Sequence, residues 1–91
     1  MNIQSIAEQL VEILKNNGVD IRYEQLGGSG GGICTIKNRQ VMFIDTQASA
    51  AQTAENCAEA LITTVDIEGI YLRPEVRQFV QKQQNEDEFR Q

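Results

Sequence analysis

The chain contains no histidine, which removes Ser-His-Asp and Cys-His nucleophilic arrangements, a histidine general base and every histidine metal site. Cysteine is scarce too: Cys34 and Cys57 are the two present. They are too few for the roughly four ligands of a structural zinc within one chain, and leave open only a four-cysteine site shared between subunits. The aromatic side chains are Tyr23, Phe43, Tyr71, Phe79 and Phe89, so the core must be mostly aliphatic and a base-stacking platform is not expected. Eight Lys and Arg face thirteen Asp and Glu, a net charge of −5 that opposes phosphate backbones and argues against nucleic acid as partner. No stretch approaches the ~18 apolar residues of a membrane span, and no basic region leads into an apolar run at the N-terminus. A cytoplasmic protein of bacterial type, with no membrane partner, is the expectation. In that setting the two cysteines read as free thiols.

Ninety-one residues, 41% of them hydrophobic, suit one domain that buries about 60–65% of its unfolded surface. The expected globular unit spans 1–80, with a polar, partly frayed tail over 81–91. Ile3, Ile6, Ala7, Leu10, Ile13 and Leu14 recur at helical steps, with Val11 widening the stripe. Asn2 is placed to cap this helix, Ser5 and Glu8 have capping-box spacing one turn later, and Gly18 is a natural stop, giving a helix over 3–16. Val19, Ile21 and Tyr23 then alternate with Asp20, Arg22 and Glu24, the pattern of a strand ending near Leu26.

Five of the seven glycines fall in Gly27-Gly28-Ser29-Gly30-Gly31-Gly32. Such a run is a flexible loop, or it lets the backbone approach something closely. It is not a P-loop, because it precedes a strand and lacks the Lys-Ser/Thr that feeds a helix. Two β-prone segments follow, Ile33 to Lys37 and Gln40 to Asp45, joined by Asn38-Arg39 as a hairpin. A second helix starts near Ala48 with Ser49 or Thr46 as its cap. Its stripe is Ala54, Cys57, Ala58, Leu61, Ile62 and Val65, small residues first, so that its N-terminal end can approach a sheet closely. Residues 66–72 lose the period and read as extended. Pro74 opens a short third helix with Val76, Phe79 and Val80 inward. The order α-β-β-β-α-α predicts an α+β fold: an N-terminal helix, a three-stranded antiparallel meander, and two helices packed on the sheet.

Few residues carry chemistry. Cys34 follows the glycines on a strand, with Lys37 and Arg39 nearby in sequence. It reads first as a packed core thiol and second as a nucleophile or redox sensor. Cys57 reads as core. Glu55 with Glu59, and Asp66 with Glu68, are acidic pairs that read as solvated surface, as does the Glu86-Asp87-Glu88 run. No catalytic residue, metal ligand or cofactor is assigned.

Gly31-Gly32-Ile33-Cys34, the strand ending Ile44-Asp45, the helix with Ala58-Glu59-Ala60-Leu61, and Ile70-Tyr71-Leu72-Arg73-Pro74-Glu75-Val76-Arg77 together resemble a family of small uncharacterised bacterial proteins. That resemblance covers roughly 23–80 and implies a fold without an activity. More distantly, the strand-to-helix passage is similar to the core of the zinc peptidases that accompany phage-type repressors. Glu59 stands at the first histidine of their His-Glu-x-x-His, Ala60 at the general base and Thr63 at the second histidine. All three departures abolish the metal site, so this second resemblance implies a metal-free scaffold turned to binding.

The sequence therefore points to a non-enzymatic domain acting through protein–protein contact, with another protein or with a second copy of itself. The candidate surfaces are the glycine loop and adjoining strand (Gly27, Gly28, Gly30, Gly31, Gly32 and Cys34) and the apolar connector (Ile67, Ile70 and Tyr71). The alternatives are a thiol enzyme or redox sensor using Cys34, or an anion or small-ligand site at the glycine loop.

Overall fold

The computed structural model describes residues 1–28 and 30–89, with side chains to Glu86. Helix α1 (Ile3–Asn16) has the bounds its periodicity predicts. The Asn2 side-chain oxygen accepts from the Ser5 amide at 2.9 Å, a true N-cap. At the other end the Gly18 and Val19 amides donate back to the Lys15 and Leu14 carbonyls, at 3.2 and 3.1 Å, closing the helix as a Schellman turn does. The Ser5–Glu8 box does not form, and Glu8 accepts from the Gln4 side chain instead.

Three strands follow, β1 (Asp20–Glu24), β2 (Gly32–Ile36) and β3 (Arg39–Asp45). They are not an antiparallel meander. The sheet order is β1-β3-β2, with β1 parallel to β3 and β2 antiparallel to it. The reason lies in composition: β3 carries Val41-Met42-Phe43-Ile44, a continuous apolar run suited to a central strand, whereas β1 alternates with charges and belongs at an edge. The glycine-rich segment is thus no hairpin but a crossover, leaving β1 on one side of β3 and entering β2 on the other. The β2–β3 turn lies one residue earlier than Asn38-Arg39. Its corners are Lys37 and Asn38, at φ 52° and 66°, the left-handed pair of a type I′ connection.

Helix α2 (Ala50–Thr64) is capped by Ser49, whose hydroxyl accepts from the Gln52 amide at 3.1 Å. Residues 66–72 do not run fully extended. Asp66 caps a single 3-10 turn at Ile67–Gly69, and Ile67 and Leu72 are buried at its two ends. Helix α3 runs Pro74–Phe89, well past the short helix expected, with Gln83 buried on it.

All three helices lie to one side of the sheet, around Leu10, Leu14, Met42, Cys57, Leu61, Val76 and Val80, which are fully buried. The alanine-rich face of α2 makes its most extensive contact with α1, and α3 packs chiefly on α2 and α1 rather than on the sheet. Among the described residues no helix covers the other face of the sheet.

Gly31 is where the crossover meets β3. A Cβ there would fall inside the contact radius of the Phe43 carbonyl oxygen, while one on Gly32 would meet nothing within 4 Å. Gly31→Ala is therefore expected to cost more than about 2 kcal/mol by displacing backbone, and Gly32→Ala to stay within about 0.5 kcal/mol, as read by urea unfolding of the two variants.

Candidate functional site

Asp45 ends the most apolar strand of the molecule, and the residue is 2% exposed. A buried charge is tolerated only when it is fully hydrogen-bonded. Here Oδ1 accepts from the Leu26 amide at 3.0 Å and the Gln47 amide at 2.9 Å, and Oδ2 accepts from the Gly30 amide at 3.1 Å. Next door the Gln47 side-chain oxygen accepts from the Gly27 amide at 2.7 Å. The crossover is thus wrapped around the end of β3 and tied there by its own backbone. Burial alone would push the Asp45 carboxyl up, but the Gln47, Leu26, Gly30 and Gly28 amides outweigh it and hold the group below the ordinary aspartate value.

This arrangement explains Gly30. Gly30 has φ +90°, and a Cβ on it would lie 2.7 Å from the Asn56 side-chain nitrogen. The loop presents amides to an anion as phosphate loops do, but the anion is the chain's own carboxylate. The amides of Leu26, Gly27 and Gly30 are thereby committed inside the molecule.

Alternation along the strands sorts the remaining residues. Ile21, Ile33, Met42 and Ile44 face the helices and join the core. The pairing register puts Asp20, Arg22 and Glu24, Gly32, Cys34 and Ile36, and Arg39, Val41 and Phe43 on the opposite, uncovered face. Arg39 forks onto Asp20 there through two contacts of 2.8 Å. Its hydrogen bonds hold the Asp20 carboxyl below its usual range and raise the guanidinium. Arg22 lies over the Phe43 ring at 5.7 Å from its centroid and reaches Glu24 at 3.7 Å. Both pairs are solvent-exposed and add little stability.

Cys34 is exposed, which corrects its reading as a core thiol. It sits opposite Val41 on the face no helix covers. Cys57 is in the core as expected, and burial pushes its thiol up to about 11. The apolar connector is corrected as well: Ile67 is buried, Ile70 is half-buried against the core, and only Tyr71, 82% exposed, offers surface. That segment lies beyond the far end of α2, a helix of 15 residues and so about 22 Å long, whose first turns flank Gly30. The two expected surfaces are therefore not one site.

Glu59 is exposed, Ala60 is buried, and the Thr63 hydroxyl donates to the Ala60 carbonyl at 3.0 Å. Among the described residues no cluster of three or more Cys, Asp and Glu is placed to hold a metal ion, and no helix is long and apolar enough to cross a membrane. No protein-family model, curated protein or solved structure matches the chain. Sequence reasoning passed over Asp45, Val41 and Phe43. The signal for Asp45 was an acid at the end of an apolar run with nothing nearby in sequence to pair it.

Three outcomes are expected. Asp45→Asn puts an amide donor where backbone donors converge, so it should lower the urea midpoint at neutral pH and open the 25–31 crossover to proteolysis. Because the native Asp45 value lies below the unfolded one of about 3.9, its contribution is complete above that range and is lost as pH falls through the native value. The gap between wild type and Asp45→Asn should therefore narrow on acidification below pH ~4. In alkylation of the native protein followed by peptide mass analysis, Cys34 should be labelled and Cys57 protected until unfolding.

Proposed function

We propose that this chain is a small, non-enzymatic, cytoplasmic protein-interaction domain whose working surface is the β2 edge together with the uncovered sheet face beside it. The observation that carries this reading is the contrast between the two edges of the sheet. On β1 the charged side chains of Asp20, Arg22 and Glu24 guard the edge; on β2 the residues Gly32-Ile33-Cys34-Thr35-Ile36 include no charge and no proline, and Cys34, Thr35 and Ile36 are exposed. Unguarded edges of this composition are sites of strand addition. Ile36, 41% exposed, adds apolar surface, and the net charge of −5 favours a protein partner over nucleic acid or an anionic membrane.

Commitment of the loop amides to Asp45 and Gln47 weighs against the anion-binding alternative. The exposure of Cys34 favours one second reading, a thiol sensor. Of the two nearby cations, however, Arg39 is engaged by Asp20. A sensor would require Cys34 to react with hydrogen peroxide well above the rate of free cysteine.

The test is the alkylation rate of Cys34 in three settings: dilute pure protein, concentrated pure protein, and a native cell extract. Slower labelling in the concentrated sample or in the extract is expected, since either reports a covered face. Equal rates in all three would overturn the reading.

A further inference from the structure

The hydrogen-bonding phase of the sheet shows which groups of β2 are unused. The Thr46 amide donates to the Glu24 carbonyl at 2.9 Å, so the even-numbered residues of β3 direct their backbone groups to β1 and the odd-numbered ones to β2. The type I′ turn at Lys37 and Asn38 gives the same phase, because it makes Ile36 and Arg39 the bonded pair that closes the hairpin. With the observed register, Ile36, Cys34 and Gly32 exchange bonds with Arg39, Val41 and Phe43. Ile33 and Thr35 turn their N–H and C=O groups outward, away from β3.

We propose that β2 pairs antiparallel with β2 of a second copy of this chain about a two-fold axis at Cys34, joining the two sheets into one. The inference deepens the interaction reading above and rests on it. Only this register uses the outward groups of both residues in both copies: Ile33 bonds Thr35 of the second copy and Thr35 bonds its Ile33, so every exposed donor and acceptor of the strand is satisfied. Gly32 then faces Ile36 of the second copy on the uncovered side, and Gly32 has open space above its Cα for that side chain to fill. Charge is complementary as well. Lys37, the first residue beyond the strand, then comes to the Gly31 end of the second copy's β2, where Glu59 lines a recess with Gly31 and Ile33, so a cation and a carboxylate lie at the same end of the pair. Cys34 faces Cys34 of the second copy at a non-hydrogen-bonded position, where Cα atoms approach to about 4.5 Å, within the span a disulfide bridges. A five-residue strand buries less than the ~1,200 Å² of a permanent interface, so the dimer is weak and concentration-dependent.

Sedimentation equilibrium over a wide concentration range should show a reversible monomer–dimer equilibrium. Thr35→Pro removes an outward N–H without touching a bond to β3, and should weaken the dimer at least about tenfold, the loss of one intermolecular bond per copy. Because a proline could also disturb the monomer, a cysteine scan supplies the second measurement. Diamide, which takes two electrons and two protons from a thiol pair, should cross-link wild type through Cys34 faster than it cross-links Cys34→Ser chains carrying Ile33→Cys or Thr35→Cys. A monomer at every concentration overturns the inference, as does a dimer in which position 34 cross-links no faster than 33 or 35. If Cys34 is then still protected in cell extract, the interaction reading survives with a different protein as partner; if it is not, both fall.

Discussion

The hydrogen bonds from the crossover amides to the Asp45 carboxylate are the constraint on which the rest of the structure depends. A chain leaving β1 must pass over the end of β3 before it can enter β2, and that passage takes backbone amides across the buried end of an apolar strand. Unbonded amides there would each cost as much as a lost hydrogen bond. A carboxylate accepts several donors at once, and bonds to a charged acceptor are stronger than neutral ones. Asp45 therefore solves two problems together, its own desolvation and that of the loop. Glycine follows from the same constraint, since backbone this close to β3 and to Asn56 leaves no room for a Cβ at Gly31 or Gly30.

Strand order follows in turn. With the crossover pinned over β3, β1 and β2 are held on opposite sides of it, and β3 becomes the strand with neighbours on both edges. The helices then cover one face through Met42 and Ile44, and the other face shields itself in part. Arg22 lies over Phe43, and Val41, 6% exposed, is flanked by Asp20 and Cys34. These contacts lower the apolar exposure of the open face without covering the β2 edge.

Much of this was legible in the sequence where the signal is local. The stripe from Ile3 to Leu14, the caps Asn2 and Ser49 and the stop at Gly18 predict α1 and the start of α2, because helix formation depends on neighbours three and four residues apart. Strand order was not legible, because periodicity reports which face of a strand is wet and says nothing about which strand lies beside it. The continuous run Val41 to Ile44 did hold the information, since a strand apolar on both sides belongs in the centre. Cys34 was misplaced for a related reason: its burial depends on which face the helices cover, a tertiary fact. Ile67 and Ile70 read as surface in the sequence because they lie beyond the α2 period, yet a 3-10 turn folds the segment back so that Ile67 is buried and Ile70 packs against the core.

A glycine-rich loop next to a strand ordinarily draws attention to itself as a ligand site, and here the amides of Leu26, Gly27 and Gly30 are consumed internally. What is left unspent lies at the edges of the sheet, and the two edges differ. If both were open, strand addition would be head-to-tail and without end, the route to fibres. With Asp20, Arg22 and Glu24 on β1 and an uncharged β2, addition is confined to one side. A single open edge can pair only with one other strand, and when that strand is its own copy the two-fold axis closes the assembly. The charge pattern of β1 thus limits the stoichiometry of whatever β2 binds, and it does so from the opposite side of the sheet.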